Sequence, residues 1–133
     1  MLITRETDYA LRILQNLMDG EKRSVGDISQ KEFIPQQFAY KIAKKLAKAG
    51  FIQITRGVDG GCRLDKDSAE ISLYDLITVI EGSYEVNACM DPDFSCTRRQ
   101  NGGCSVHPQL MAIQKTLTDQ LRSYTLEELL NKK

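Results

Sequence analysis

Three helices are predicted from the apolar positions of the first fifty residues. The first has a stripe with helical spacing that ends near Gly20, and its members are Ala10, Ile13, Leu14, Leu17 and Met18. Ser24 is a typical N-cap for a short second helix, and Pro35 begins a third helix that ends at Gly50. The third helix has an apolar face made of Ala39, Ile42, Ala43 and Leu46. A short helix, a tight turn and a longer helix predict a helix-turn-helix.

A β-hairpin is predicted directly after the third helix. Residues 51 to 55 have strand character, residues 62 to 64 supply a partner strand, and the sequence RGVDGG between them is typical of a hairpin loop. A hairpin with a basic loop in this position is the wing of a winged helix. Arg56 is placed there to meet phosphate or a minor groove.

The second half of the chain predicts further helices around an irregular segment. Ser72 and Asp75 form a capping-box pattern, and the helix that they open has an apolar face made of Leu73, Leu76, Ile77 and Ile80. Residues 83 to 104 lose helical periodicity and carry turn signals, and Thr125 caps a last short helix. Between these lies a long helix with an apolar seam at spacings of 4, 3, 4 and 4, made of Val106, Leu110, Ile113, Leu117 and Leu121. This seam favours a homodimer, although it could instead cover the core of its own domain.

Together these elements predict a mainly α fold with a small β-hairpin wing: a winged helix-turn-helix plus a long C-terminal dimerisation helix. We assign residues 1–82 to a DNA-binding domain, 83–104 to a cysteine-rich loop, and 105–133 to the dimerisation helix and a C-terminal helix. No stretch approaches the roughly 20 apolar residues of a membrane span, and the first residues mix charges where a signal peptide needs an apolar run. We therefore expect a cytoplasmic protein with no membrane association.

The charge distribution predicts nucleic-acid binding by the first half. The formal net charge is zero, yet residues 1 to 66 carry twelve Lys and Arg against eight Asp and Glu, whereas residues 67 to 133 carry six against ten. The polar side of the third helix consists of Gln36, Gln37, Tyr40, Lys41, Lys44, Lys45 and Lys48. Glutamines can read base edges and lysines neutralise phosphates, while a merely solvated face is the alternative. The adjacent wing with Arg56 favours double-stranded DNA.

Three of the four cysteines and the only histidine lie in residues 89 to 107, CMDPDFSCTRRQNGGCSVH. Gaps of six and seven residues separate Cys89, Cys96 and Cys104, which fits neither a zinc knuckle nor a bacterial ferredoxin motif. Widely spaced thiolates can still wrap an iron-sulfur cluster, and His107 is a candidate fourth ligand through a neutral ring nitrogen. Incidental cysteines, a helix-starting histidine and a regulatory Cys89 to Cys104 disulfide remain alternatives. No catalytic constellation is visible, so we do not expect an enzyme.

These residues resemble the IscR and NsrR group of bacterial winged-helix transcription regulators over nearly the whole chain. The matching stretches are TDYALR at residues 7 to 12, the segment from Leu46 through AGFI at 49 to 52, Arg56-Gly57 with Gly60-Gly61, ISL at 71 to 73, and the three-cysteine loop. The resemblance implies a homodimer that binds a pseudo-palindromic operator through recognition helices and wings. It also implies that an iron-sulfur cluster, 2Fe-2S or 4Fe-4S, controls that binding.

The resemblance also assigns roles to individual residues. Cys89, Cys96 and Cys104 match the cluster cysteines, His107 matches the histidine ligand of IscR-type members, and Asp8 matches the aspartate that NsrR-type members supply from the partner subunit. The DNA contact positions of the group fall on Gln37, Tyr40 and Arg56. The sequence departs from the group in its longer cysteine gaps, in Tyr40 where IscR has an acidic residue, and in Cys62 where an aromatic residue is usual. Cys62 is expected to be a small buried hydrophobe or a redox-active thiol.

The resulting hypothesis is a DNA-binding transcription regulator, in particular a repressor, that responds to iron-sulfur status or to oxidative or nitrosative stress. Two alternatives stay open. The chain could be a winged-helix regulator that senses oxidants through its thiols without a cluster, or a small iron-sulfur redox protein.

Overall fold

The structure of the chain, a computed structural model, describes residues 3–131. Its helices and strands, in chain order, are α1 (Arg5–Gln15), α2 (Val25–Lys31), α3 (Gln36–Lys48), β1 (Ile52–Thr55), β2 (Gly61–Leu64), α4 (Leu73–Glu81), α5 (Thr97–Gln100), α6 (Val106–Ser123) and α7 (Leu126–Leu130). Short 3-10 turns occupy Ser68–Glu70 and Ala88–Met90. The predicted mainly α fold with a β-hairpin wing is confirmed.

One hydrophobic core joins α1, α2, α3 and α4 with the base of the wing. The predicted apolar faces of α1 and α3 point into it, and α4 adds Leu76, Ile77 and Ile80. Met18 and Leu73, at the ends of their stripes, are only half-buried. Burying one such Leu or Ile side chain stabilises the fold by roughly 1.5–3 kcal/mol, so this core holds α3 in place.

The predicted caps are confirmed by their hydrogen bonds. Ser24 Oγ accepts the backbone N–H of Asp27 at 3.1 Å, and Thr125 Oγ1 accepts that of Glu128 at 3.2 Å. Ser72 and Asp75 form a complete capping box, with both hydrogen bonds at 3.0 Å. Each cap satisfies a backbone donor at a helix start, which is typically worth about 1 kcal/mol.

Helix α1 ends earlier than its apolar stripe predicts. The helix stops at Gln15, and residues 16 to 19 form tighter turns in which Leu17 N–H donates to the Leu14 carbonyl at 2.9 Å. Leu17 is nevertheless fully buried. Apolar spacing alone does not distinguish an α-helix from a final turn of 3-10 type, which explains the difference.

The wing is an antiparallel hairpin in which Ile52 pairs with Leu64 and Ile54 with Cys62. Its second strand also meets the segment before α2, because Arg23 and Cys62 exchange backbone hydrogen bonds at 2.9 and 2.8 Å. A Cβ at Gly61 would lie 2.8 Å from the Arg23 carbonyl oxygen, so glycine permits this close approach. The wing is therefore anchored to the helix-turn-helix rather than hanging free.

The C-terminal helices take two different positions. Helix α7 returns to the N-terminal domain, where Leu126 is fully buried and its N–H donates to the Ile71 carbonyl at 2.9 Å. Along α6, Leu121 is 7% exposed while Val106 and Ile113 are 45% and 55% exposed. The apolar seam therefore covers the core only at its C-terminal end. The division at residues 82 and 104 stays a prediction.

Within the described residues, no helix combines the length and the apolar character that crossing a bilayer requires.

Candidate functional site

Helix α3 presents a polar face to solvent. Its apolar face is buried, and the side chains on the opposite side that are exposed are Gln36, Gln37, Tyr40, Lys41, Lys44 and Lys48. Lys45 is the exception among the predicted DNA contacts because it is only partly exposed. The exposed glutamines and lysines combine base-reading and phosphate-binding chemistry on one helix, as DNA recognition requires.

The turn before α3 fixes how that face is presented. Ile34 is buried, its N–H donates to the Ser29 carbonyl at 2.9 Å, and Ser29 Oγ donates to the Ile34 carbonyl at 2.6 Å. Phe33 is the only described residue other than glycine with a positive φ, 56°, and its ring is 89% exposed. The chain thus accepts a strained residue in order to turn sharply between α2 and α3.

A cleft separates α3 from the wing and collects three of the predicted DNA contacts. The cleft has a volume of about 740 Å³, and Tyr40, Lys44 and Arg56 all line it. Lys22 Nζ donates to the Asp59 carbonyl, which ties the wing loop to the segment before α2. Gln36 and Gln37 lie in the first turn of α3 and are not among the lining residues. Lys44, on α3, and Arg56, on the wing, therefore lie on opposite sides of a groove beside the polar face of α3.

Two lysines of α3 pair with a carboxylate of α1. Lys45 Nζ donates to Glu6 Oε2 at 3.2 Å and to the Ile80 carbonyl at 2.9 Å, and Lys41 Nζ lies 3.2 Å from Glu6 Oε1. The hydrogen bonds from Lys41 and Lys45 lower the pKa of Glu6 below its ordinary value. These lysines therefore join α3 to α1 and, through Lys45, to the end of α4.

A second cavity gathers the cysteines of the loop. Its volume is about 270 Å³, and Cys89, Cys96, Cys104 and His107 all line it. All four cysteines of the described chain are free thiols. His107 Nδ1 is buried and, within residues 3–131, has no hydrogen-bond partner. A buried ring nitrogen without a partner is costly, and a metal ligand bond would satisfy it.

The cysteine cavity contains three thiols and one imidazole as potential metal ligands. No group of three or more Cys, His, Asp or Glu side chains in the described chain is arranged to hold one metal ion. Thiolates and imidazoles are ligand types that iron-sulfur clusters take. The donor types therefore match those of a cluster ligand set, although the described residues form no cluster-binding group.

The environment of Cys104 favours its thiolate. Hydrogen bonds from the backbone N–H groups of His107 and Val106, at the start of α6, lower the pKa of Cys104, and Arg98 adds a smaller effect in the same direction. A helix N-terminus and a guanidinium both stabilise negative sulfur. The thiolate is the form that ligates metal.

Asp8 lies elsewhere on the described chain. It is on the exposed part of α1, where its carboxylate pairs with Arg12 at 3.0 Å, and it does not line the cysteine cavity. The resemblance places its contact in the cavity of a partner subunit, so this role stays a prediction.

Cys62 is a buried residue of the wing base. Its side chain is fully buried, its Sγ donates to the Arg23 carbonyl at 3.4 Å, and burial raises its pKa. These features favour the small buried hydrophobe over the redox-active thiol.

Sequence reasoning did not single out the other residues of the cysteine cavity. Arg98 and Arg99, in the short helix α5, and Phe94 line the cavity together with the thiols. The sequence did contain a signal for Arg98 and Arg99, because two adjacent arginines are unusual in the acidic half of the chain. Tyr84 and Gln114, which hold the loop against α6, gave no such signal: Tyr84 Oη lies 3.0 Å from Thr118 Oγ1, and Gln114 Oε1 accepts the Val86 N–H at 2.8 Å.

Comparison with known proteins decides the family. Residues 3–132 match the model of the Rrf2 family, described as iron-dependent transcriptional regulators. The chain belongs to the Rrf2 family. A relative over most of the chain is protein aau3 of Rhizobium meliloti, 30% identical over 97% of this chain and 84% of that protein. A protein of Aquifex aeolicus named as an HTH-type transcriptional regulator is 26% identical over 98% of this chain and 92% of its own length.

Solved structures show the same fold. The oxidized form of CymR from Staphylococcus aureus superposes with a TM-score of 0.74 at 23% identity, covering 100% of this chain and 98% of that one. The IscR of T. potens superposes with a TM-score of 0.70 at 20% identity, covering 97% and 85%. The winged helix-turn-helix is thus confirmed, and this Rrf2 chain is a transcriptional regulator.

Proposed function

We propose that this Rrf2 chain is a homodimeric repressor whose operator binding is controlled by an iron-sulfur cluster that responds to iron-sulfur status or to oxidative or nitrosative stress. Cys89, Cys96 and Cys104 hold the cluster, and either His107 or Asp8 of the partner subunit supplies the fourth ligand. The observation that carries this proposal is the cavity that all three thiols share with the unpartnered ring nitrogen of His107.

On the DNA side, each residue has a role set by its position. Gln36, Gln37 and Tyr40 read base edges from the first half of α3, and Lys44 and Arg56 bind phosphates on either side of the cleft. Two copies joined along the exposed seam of α6 present two such surfaces to a pseudo-palindromic operator. The exposed apolar side chains of α6 support this pairing because water-exposed Val and Ile residues gain by mutual burial.

Control of DNA binding follows from the position of the cysteine segment. Bound to this site, a cluster would supply iron ligated by the thiolates of the chain, and oxidants or nitric oxide can disrupt that ligation. With their sulfurs ligated, Cys89, Cys96 and Cys104 hold residues 83–104 in one arrangement against α6; without ligation the same segment gains freedom. The ligated and unligated states need to differ by only about 1–3 kcal/mol in their free energy of operator binding to form a useful switch.

The test is anaerobic purification followed by visible absorption and by analysis of iron and acid-labile sulfide. We expect a visible chromophore with stoichiometric iron and sulfide in the wild type and its loss in Cys104→Ser. The matched control is Cys62→Ser, which changes the one described cysteine that is outside the cavity and should keep the chromophore. A colourless wild type after anaerobic reconstitution would refute the cluster.

A cluster-independent thiol sensor is the second candidate. It is favoured by the same cavity, which brings three reduced thiols together, and by the fold shared with a protein crystallised in an oxidized form, CymR. A variant with serine at positions 89, 96 and 104 distinguishes the two. The thiol sensor is favoured if operator binding by the wild type does not depend on iron but is weakened by peroxide. The triple variant should then no longer respond to peroxide.

A further inference from the structure

Helix α3, which we propose as the recognition helix, is hydrogen-bonded to the end of α4. The cysteine segment begins directly after this end of α4. Lys45 Nζ donates to the carbonyl of Ile80 at 2.9 Å, and Ile80 lies in the last turn of α4. Gly82, with φ +84°, caps that helix, and the cysteine segment starts at residue 83. A carbonyl at a helix C-terminus has no partner within the helix and carries partial negative charge, so an ammonium group is well matched to it.

The same junction includes the start of α1. Glu6 receives Lys41 on one carboxylate oxygen and Lys45 on the other, both at 3.2 Å. Close by in sequence, Thr7 Oγ1 donates to Glu81 Oε1 at 2.7 Å, and Thr4 donates to the same oxygen. The first turn of α1 therefore contacts both the recognition helix and the last residue of α4.

On its other side the junction continues into α6. The segment after α4 is fixed by Tyr84, whose hydroxyl lies 3.0 Å from Thr118 Oγ1, and by Val86, whose N–H donates to Gln114. Helix α6 carries His107 in its first turn. Helix α6, the hydrogen bonds of Tyr84 and Val86, the short non-helical link after α4, and the end of α4 thus connect the cysteine cavity to Lys45.

The use of the Lys45 ammonium argues against phosphate contact. Two of its three protons already have protein acceptors, and the side chain is only partly exposed. Reaching a phosphate would leave the carboxylate of Glu6 and the carbonyl of Ile80 without this donor. Lys44, the preceding residue, is exposed and lines the cleft beside the wing.

We propose that Lys45 and Glu6 are positioning residues that couple the cysteine segment to the recognition helix, and that Lys45 does not contact DNA phosphate. This inference rests on the proposed function. A shift at the end of α4, where the segment begins, moves the acceptor of Lys45 and so changes the orientation of α3 relative to α1. Lys44 and Arg56 then meet the operator in a different geometry.

The test compares Lys45→Met with Lys44→Met, two matched changes one residue apart. Operator affinity is measured by fluorescence anisotropy at several KCl concentrations, for cluster-loaded and cluster-free protein. Lys44→Met should reduce the slope of log K against log salt by about 1.8 for a dimer, since each lost phosphate contact is worth about 0.9, and should keep the ratio of loaded to free affinity. Lys45→Met should keep the slope and lower that ratio at least threefold. Circular dichroism checks that each variant folds.

Glu6→Gln provides a second route to the same result, because it removes the negative charge that pairs with Lys45 without changing any residue of α3. It should also keep the salt slope and lower the ratio. A slope reduced in Lys45→Met as much as in Lys44→Met, or a ratio unchanged in both Lys45→Met and Glu6→Gln, would overturn the inference alone. A ratio of one in the wild type would instead refute cluster control itself, and the coupling role with it.

Discussion

Replacing Phe33 by glycine should stabilise the protein. Phe33 has a φ of 56°, a left-handed conformation that costs an ordinary residue roughly 1–2 kcal/mol relative to glycine. Its ring is 89% exposed, so removing it forfeits only about a tenth of the roughly 3 kcal/mol that a fully buried Phe contributes. Glycine also makes the unfolded chain more flexible, which costs about 0.5–1 kcal/mol. The net expectation is a gain of about 0.5 kcal/mol.

The decisive comparison is with Phe33→Ala, which removes the ring but keeps the Cβ atom. The alanine variant should be no more stable than the wild type, and the glycine variant should exceed it by about 0.5–1 kcal/mol, or roughly 2–4 °C in Tm. Urea denaturation followed by circular dichroism measures this, at one fixed protomer concentration because dimer dissociation would contribute. A glycine variant no more stable than the alanine variant would show that the turn before α3 is not strained.

Three further predictions concern single residues. Iodoacetamide should modify three thiols of the native, cluster-free protein quickly and Cys62 only after unfolding, as mass spectrometry of the peptides would show, because Cys62 is fully buried and the others are not. Since the pKa of Glu6 is lowered from 4.5 in the folded chain, its ion pairs stabilise the protein above that pH and are lost as the pH falls through the lowered value. Glu6→Gln should therefore be less stable by about 0.5–1 kcal/mol near pH 7, with the gap in urea midpoints closing as the pH falls through the lowered pKa of Glu6. Ile113→Lys should convert the dimer to a monomer in analytical ultracentrifugation while leaving the circular dichroism spectrum intact, since Ile113 is 55% exposed within the chain; a dimer that persists would exclude the α6 seam as the interface.

The regular elements of the fold could be predicted because local rules decide them. Ser24, Ser72 and Thr125 each accept the backbone N–H that their cap pattern predicts, and the apolar stripe of α3 is buried as its spacing indicates. Helix α5 could not be predicted in this way, because four residues are too few to show a helical repeat. The return of α7 to the N-terminal core was also missed, since the pattern of Leu126, Leu129 and Leu130 does not say which surface it meets.

The site was predictable in its residue types but not in its geometry. Proximity in sequence made a common site for Cys89, Cys96, Cys104 and His107 plausible, and one cavity does include all four. The lysines of α3 show the limit of pattern reading. Lys44 and Lys45 are adjacent and chemically identical, yet the structure directs one to the cleft beside the wing and the other to the carbonyl of Ile80. Only the packing of α1 and α4 against α3 separates these two roles.

Helix α6 contacts both the cysteine cavity and the core of the winged-helix domain. Its first turn brings His107 to the cysteine cavity, its middle exposes Met111 and Ile113, and its end buries Leu121 against the core. One rigid helix therefore links the cavity, the exposed apolar seam and the winged-helix domain, because its ends cannot move independently. If a second copy covers the seam, its orientation sets both the distance between the two recognition helices and the approach of the partner's α1, which carries Asp8. The proposed dimer and the proposed role of Asp8 therefore depend on the same pairing of α6 helices, and a structure of the loaded dimer tests both together.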